Sequence, residues 1–319
     1  MEENAITHII QLGDFFDRRK YINFITLHKT REYFLDPLQE RGYTMDVFVG
    51  NHDCFYRSSN SVNSIDLLLG EYQNICKFSE PVTLTYDDID IALLPWVNSS
   101  NHNDCMDFLD NTNAPILLGH LEIAGFEMYK GSVIEHGMPM DAFQKFDIVC
   151  SGHFHHKSSR GNIHYLGTPY QLTWSDYGDP RGFHVFDTTT RSLDFVLNPY
   201  NMFNKIHYND ADKTMEQVTD IDYTPYEGTY VKVVVHQKNN PYWFDLFVDR
   251  LEKAGATDIQ VVEDHLNLNL EDDEDILQEA QDTLTILRSV VEGVETTVPK
   301  KNLENFLVTL YQEALHYEQ

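Results

Sequence analysis

A chain of 319 residues and 37.1 kDa is too long for one small core, and its 42% hydrophobic and 13% aromatic content excludes a disordered polymer and points to two or three globular domains. A formal net charge of −28 excludes a simple basic nucleic-acid-binding surface. Any grip on DNA then calls for metal ions, a partner, or a local basic strip such as Arg18-Arg19-Lys20 with Arg57. No apolar run approaches the roughly 18 residues that span a bilayer, and the acidic start Met1-Glu2-Glu3-Asn4 does not read as a signal peptide. Cys54, Cys76, Cys105 and Cys150 are scattered without a C-x-x-C pair, the usage of reduced thiols in a cytoplasm.

In chain order, residues 5–12 read as a buried strand ending at Gly13. Residues 24–38 have helical apolar spacing at Phe24, Leu27, Phe34 and Leu35, with Pro37 near the end. Strands follow at 45–49, 75–78, 82–85, 89–94, 115–118 and 148–150, with helices starting at 63 and covering 105–109. A β-rich stretch covers 164–166, 182–186 and 192–196. Strands that alternate with helices and then run together predict an α/β sandwich, with sites at the carboxyl ends of strands.

The pattern changes near Asn198-Pro199. Residues 204–222 read as polar and irregular. A strand at 229–236, a helix at 244–253 and a strand at 258–262 then form a small β-α-β unit. The acidic run Glu271-Asp272-Asp273-Glu274-Asp275 reads as a linker or a helix N-terminus. Helices over 276–294 and 303–317 close the chain, separated by Pro299. The expected division is 1–200, 201–270 and 271–319.

Four stretches share one design of apolar strand, glycine, then polar ligands. They are Leu12-Gly13-Asp14-Phe15-Phe16-Asp17, Gly50-Asn51-His52-Asp53, Leu118-Gly119-His120, and Cys150-Ser151-Gly152-His153-Phe154-His155. A lone Gly-Asp or Gly-His is noise, and Asn-His-Asp after a strand can be a capped turn. Four such turns in this order have no economical structural explanation. Two divalent ions that activate a phosphoester need a bridging carboxylate, neutral nitrogen or amide ligands, and a fixed water. Asp14 is the expected bridge, with Asn51, His120 and His153 completing one metal. His155, two residues beyond His153 on an extended strand, is expected to face the other. Oxygen and imidazole ligands without thiolate favour manganese, iron or zinc over calcium. His52 is left as a general acid. Asp17 and Asp53 read either as carboxylates orienting a ligand or as turn and helix caps. His102, His156 and His164 read as surface or packing histidines, and Met128, Met138 and Met140 as filler.

The order G-D-x-x-D, G-N-H-D, G-H, G-H-x-H resembles the calcineurin-like metallophosphoesterases. Gly167-Thr168-Pro169-Tyr170-Gln171-Leu172-Thr173-Trp174, Asp176, and Gly178-Asp179-Pro180-Arg181-Gly182-Phe183 are similar to the stretch after the last histidine in SbcD-type DNA double-strand-break repair nucleases. Leu94-Pro95-Trp96 and Gly119-His120-Leu121-Glu122 look like the same group, most of all its nuclease subunits from T-even-type phages. The likeness covers roughly residues 5–200; beyond that only the layout matches. It implies a four-layer α/β/β/α phosphodiesterase with two manganese ions acting on DNA ends as exonuclease and endonuclease, in double-strand-break repair, recombination and recombination-dependent replication. It implies a cap domain that presents DNA, and terminal helices that bind an SMC-like coiled-coil ATPase. An ordinary helical hairpin is the other reading of those helices. A homodimer inside a heterotetramer, in the host cytoplasm, goes with that picture.

One departure stands out. The family's D-x-H motif precedes G-D-x-x-D by some tens of residues, and Gly13 leaves no room for it in the sequence as written. The expectation is that the first strand, the first helix and two ligands of the second metal are absent, leaving that metal Asp14 and His155. A longer natural chain, a mis-assigned start and a split or degenerate gene are the readings of that departure. Two alternatives follow: a catalytically impaired subunit that binds or scaffolds DNA ends, and a metallophosphoesterase acting on a non-DNA phosphodiester.

Overall fold

The computed structural model describes residues 1, 5–129, 132–263 and 300. The chain divides into two compact units. The first holds residues 1–171 and 178–200, and the second begins with residues 172–177 and resumes at 201. The expected helices over 276–294 and 303–317 lie outside the described residues.

In the first unit, β1 (His8–Gln11) leads through helix α1 (Phe24–Thr30), a π-helical turn at Arg31–Leu35 and α2 (Asp36–Glu40) to β2 (Thr44–Phe48). A hairpin of β3 (Cys54–Tyr56) and β4 (Ser59–Asn63) precedes α3 (Ser64–Leu68). Next come β5 (Ile75–Phe78), β6 (Val82–Tyr86), β7 (Ile89–Leu94), α4 (His102–Asn111) and β8 (Ile116–Gly119). The unit ends with β9 (Glu127–Tyr129), β10 (Ser132–Val133), β11 (Ile148–Ser151), β12 (Ser158–Arg160), β13 (Ile163–Tyr165), β14 (Gly182–Phe186) and β15 (Leu193–Leu197). One sheet is parallel, in the order β1-β2-β5. The other has six strands in the order β12-β13-β11-β8-β7-β6, parallel from β13 to β7 and antiparallel at both edges.

The alternation of side chains along a strand, period two, builds the layers. In β2, Met45 and Val47 point to a cluster with Leu35, Leu38, Ile65 and Leu69 from the helices. Phe48 points the other way, into a cluster with Ile91, Leu93, Ile116, Leu118, Ile148 and Cys150 of the second sheet. The intervening residues Ala92, Leu94, Leu117 and Val149 face Cys105 and Leu109 of α4. The result is helix, sheet, sheet and helix: an α/β protein with its central core between the sheets. No described helix is long and apolar enough to cross a membrane.

The helical run after β1 departs from its expected face. Leu35 and Leu38 are buried, whereas Phe24 is 89% exposed. The π-helical turn adds a residue to one turn and rotates the stripe that faces the core. Asn23 caps α1 by accepting from the Ile25 N–H, and Asn63 caps α3 by accepting from Asp66.

The second unit contains β16 (Phe203–Asn209), α5 (Met215–Thr219), β17 (Tyr230–Gln237), α6 (Pro241–Lys253) and β18 (Asp258–Glu263). Its sheet is parallel in the order β16-β17-β18. Residues 204–222, read from sequence as irregular, form β16 and α5. Lys205, His207 and Asn209 break the apolar pattern because they lie on the face opposite the core, which takes Tyr208 and Val218. Phe244, Phe247 and Leu251 anchor α6 against Val231, Val233 and Val235.

Phe48 sits between the sheets with no solvent exposure. Phe48→Ala is expected to cost about 3–5 kcal/mol in chemical denaturation, whereas Phe55→Ala, at an exposed hairpin position, stays within about 0.5 kcal/mol of wild type.

Candidate metal centre

The four glycine turns lie at the carboxyl ends of β1, β2, β8 and β11, and both sheets contribute two. Their backbones approach closer than side chains allow. Gly13 has φ +83°, and a Cβ there would lie 2.4 Å from His120 Nδ1. A Cβ on Gly50 would lie 2.2 Å from the Asp14 nitrogen. Glycine at both positions is therefore a steric requirement.

His120 is fully buried at the meeting of the two sheets. Its Nδ1 lies 2.7 Å from the Leu12 carbonyl oxygen and donates to it. Its Nε2 lies 2.8 Å from Asn51 Oδ1 and 3.2 Å from Asp14 Oδ2. His153 Nδ1 lies 2.9 Å from the same Asn51 oxygen. One ligand atom from each of Asp14, His120 and His153 falls within 4.8 Å of the others. Asp14 and His153 both hold positive φ, 55° and 79°, a conformation that costs a non-glycine residue about 1–2 kcal/mol. Strain at two of the three converging residues fits side chains aimed at one point.

The donor set fits a cation. Asn51 Oδ1, as oriented, faces Asp14 Oδ2 and two imidazole nitrogens, a gathering of acceptors. Turned over, the amide nitrogen would reach Asp14 Oδ2 at 3.2 Å, and the oxygen would accept from Arg19 Nη2 at 3.1 Å. The oxygen faces inward where a cation is bound and the nitrogen where none is. Burial raises the Asp14 pKa, but the His120 imidazole and the His52 N–H outweigh it and hold the carboxyl at about 2. Burial and then His120 push His153 down to about 3, leaving it a neutral ligand. For His120, burial works against the charge, yet Asp14 and the Leu12 carbonyl raise its pKa overall. A proton on His120 and a metal ion therefore compete for one place.

Asp53 is 1% exposed and serves the turns themselves. Its carboxylate accepts from the N–H groups of Gly50 (2.9 Å), Phe15 (3.3 Å) and Phe16 (3.2 Å), and from Ser64 Oγ (3.1 Å). Burial, followed by the nearby Asp14 charge, pushes its pKa up to about 6. Asp17 behaves differently. Its carboxylate is 80% exposed, while its backbone carbonyl accepts from His52 Nδ1 at 2.6 Å. The His52 N–H in turn donates to Asp14 Oδ1 at 2.7 Å. The His52 ring is 44% exposed.

Residues 153–157 are not an extended strand, so a two-residue spacing does not put His155 beside His153. The positive φ of His153 bends the chain, and buried Phe154 stacks on Tyr165 at 4.3 Å between ring centroids. Among the described residues the converging group holds His153 and not His155. The Gly178-Asp179-Pro180-Arg181 segment fastens this bend. Buried Arg181 donates to the His155 carbonyl and, at 2.9 Å, to Thr168 Oγ1. Asp179 takes Arg181 and His156 Nδ1, each at 2.9 Å. His156, read from sequence as a surface or packing residue, is thus part of an ion-paired clamp. Trp96 adds a wall: its ring centroid lies 5.2 Å from that of His153 and 6.0 Å from that of His120. Glu122 Oε2 stands 3.5 Å from His153 Nε2. Arg19, Trp96 and Arg181 all stand in stretches that the sequence singled out, but the partners that give them these roles come from distant segments and are not set by local spacing.

Over 315 residues, 98% of this chain and 89% of the relative, the sequence is 32% identical to Exonuclease subunit 1 of Enterobacteria phage T4. The chain belongs to the exonuclease subunit 1 family. This is an SbcD-type branch of the calcineurin-like metallophosphoesterases. No family model matches the chain. In this exonuclease subunit 1 homologue the glycine turns of both sheets converge on one candidate metal centre.

Asp53→Ala should leave three backbone N–H groups and a hydroxyl without their acceptor. The expected loss is about 2–4 kcal/mol of stability, with metal affinity reduced about 10–100-fold. Asp17→Ala should change stability by less than about 0.5 kcal/mol, since its exposed carboxylate is not what holds His52. Denaturation and calorimetric metal titration of both variants check this.

Proposed function

We propose that this chain is the nuclease subunit of a complex that hydrolyses DNA phosphodiester bonds at DNA ends, in break repair, recombination and recombination-dependent replication. The observation that carries the reading is the convergence of Asp14, Asn51, His120 and His153 at four strand ends. Support comes from the relative, whose name makes it a subunit of an exonuclease.

Asp14, Asn51, His120 and His153 would hold one divalent ion, and Asp14 with His155 would serve a second. Mixed oxygen and imidazole donors favour manganese. Bound there, the ions would supply Lewis acidity at the scissile phosphate. The chain's own contributions are positional. Asp53 fixes the two turns that carry Asp14 and Asn51. The Asp17 carbonyl holds the His52 ring through Nδ1–H, so that Nε2 carries the proton given to the leaving sugar oxygen. The backbone bond from His52 to Asp14 keeps acid and ligand in fixed relation.

In the second unit, neighbouring strands set Lys205 beside Lys232, and these ammonium groups lie 5.1 Å and 4.4 Å from the ring centroids of Tyr177 and Trp174. Lysines over aromatic rings suit a face that presents DNA in a strongly acidic chain. Residues 271–319, outside the described residues except for 300, are assigned to an SMC-like ATPase partner.

A second reading, an end-binding or scaffolding subunit of low activity, is favoured by one observation: the converging group gathers ligands for a single ion. Purified protein with manganese and linear DNA separates the two. A nuclease gives cleavage that Asp14→Ala abolishes together with metal binding. His52→Ala then lowers the rate about 10²–10⁴-fold while metal binding persists. One bound ion, end binding and no cleavage above the Asp14→Ala background would establish the scaffold reading instead.

A further inference from the structure

Away from the glycine turns, β12, β13 and the β14–β15 hairpin line a cavity of about 310 Å³. Lys157, Ser159, His164, His184, Arg191 and Phe195 contribute to its wall. Two of these six, Lys157 and Arg191, are cationic and two are imidazoles, and no carboxylate is among the described residues that line the cavity. Acidic residues outnumber lysine and arginine 51 to 23 in the whole chain, so a wall of this sign runs against composition. None of the residues around the candidate metal centre takes part in it.

The side chains are arranged rather than scattered. The Lys157 ammonium lies 4.8 Å from the centroid of the Phe195 ring. His184 pairs across the hairpin with Phe195, and their ring centroids are 5.1 Å apart. Phe195 thus carries a cation and an imidazole. His164 Nδ1 lies 2.9 Å from Ser159 Oγ on the neighbouring strand. Arg191 pairs with Asp147. The Nδ1 of His184 is buried with no hydrogen-bond partner among the described residues. A buried polar atom without a partner costs about 1–3 kcal/mol.

An ammonium, a hydroxyl and two imidazoles around one space form a set that can present donors to a ligand rich in acceptors. A cation would be repelled, and a neutral apolar ligand would leave the buried nitrogen unsatisfied. A carboxylate offers two oxygens, whereas a terminal phosphate offers three with about two negative charges. The cavity also lies at the lower end of the volumes that hold small ligands, roughly 300–1,000 Å³.

We propose that this cavity is a binding site for a phosphomonoester, either free phosphate or the terminal phosphate of a nucleotide. Burial, with Lys157 and then His164 adding like charge, pushes the His184 pKa down to about 4, and a bound dianion would relieve that crowding.

The test uses the full chain in EDTA, so that no metal ion recruits phosphate at the other site. The imidazole resonances of His164 and His184, assigned through His164→Gln and His184→Gln, are followed by NMR at pH 7. Three probes are added in turn: inorganic phosphate, deoxyadenosine 5′-monophosphate and deoxyadenosine. Both phosphates should shift the two resonances saturably, and deoxyadenosine should not. A tighter fit for the nucleotide identifies the terminal phosphate as the ligand, and an equal fit identifies free phosphate. Lys157→Glu, at an exposed position and with its thermal unfolding unchanged, should weaken binding at least about tenfold. Asp14→Asn should leave it unchanged. The proposal fails if neither phosphate shifts the resonances, if deoxyadenosine alone shifts them, or if Lys157→Glu binds as well as wild type.

Discussion

The buried imidazole of His120 ties the two sheets together. Its Nδ1 holds the carbonyl of Leu12 at the end of one sheet, while its backbone extends the other. Its Nε2 meets Asn51 and Asp14, which the first sheet carries. A ring in that place needs every neighbouring backbone to stand back, and Gly13 and Gly50 do so. The same ring thus fixes the separation of the sheets and the geometry of the centre. Few other residues could do both, because the position demands two opposed nitrogens and no solvent.

Around that ring the work is shared between groups that face the centre and groups that hold the turns. Asp53 is a carboxylate beside a possible metal site, yet its oxygens are occupied by backbone N–H groups and a serine hydroxyl. Asp14 is held ionised, and His153 is held neutral by its surroundings. Like groups therefore take unlike roles through what surrounds them, not through their type.

Charge gives the arrangement its sense. A chain of net charge −28 repels a polyanion. The candidate metal centre, the lysine pair of the second unit and the cavity lined by Lys157 are the places proposed to reverse that repulsion locally. Each is small and each is built by tertiary contact. A count of basic residues therefore misses them.

The sequence by itself determined the class of fold, the strands of the first unit that carry the turns, and the residues that converge on the centre. These are local facts: an apolar run, a glycine that permits a tight approach, and a ligand type placed directly after it. The hairpin after Asn51, β16 and α5 were not legible. Short strands with one solvent-facing side alternate too weakly to stand out. Tertiary structure alone decided that Phe24 of the expected stripe stays exposed while Leu35 is buried, and that the chain bends at His153. It also decided that Asp17 serves through its carbonyl, that Arg181 clamps the bend, and that Trp96 walls the histidines. Each of these depends on which distant segment supplies the partner. Periodicity and spacing describe a residue's neighbours along the chain, whereas the hydrogen bonds from the Phe15 and Phe16 N–H groups to Asp53 exist only after the two turns have met.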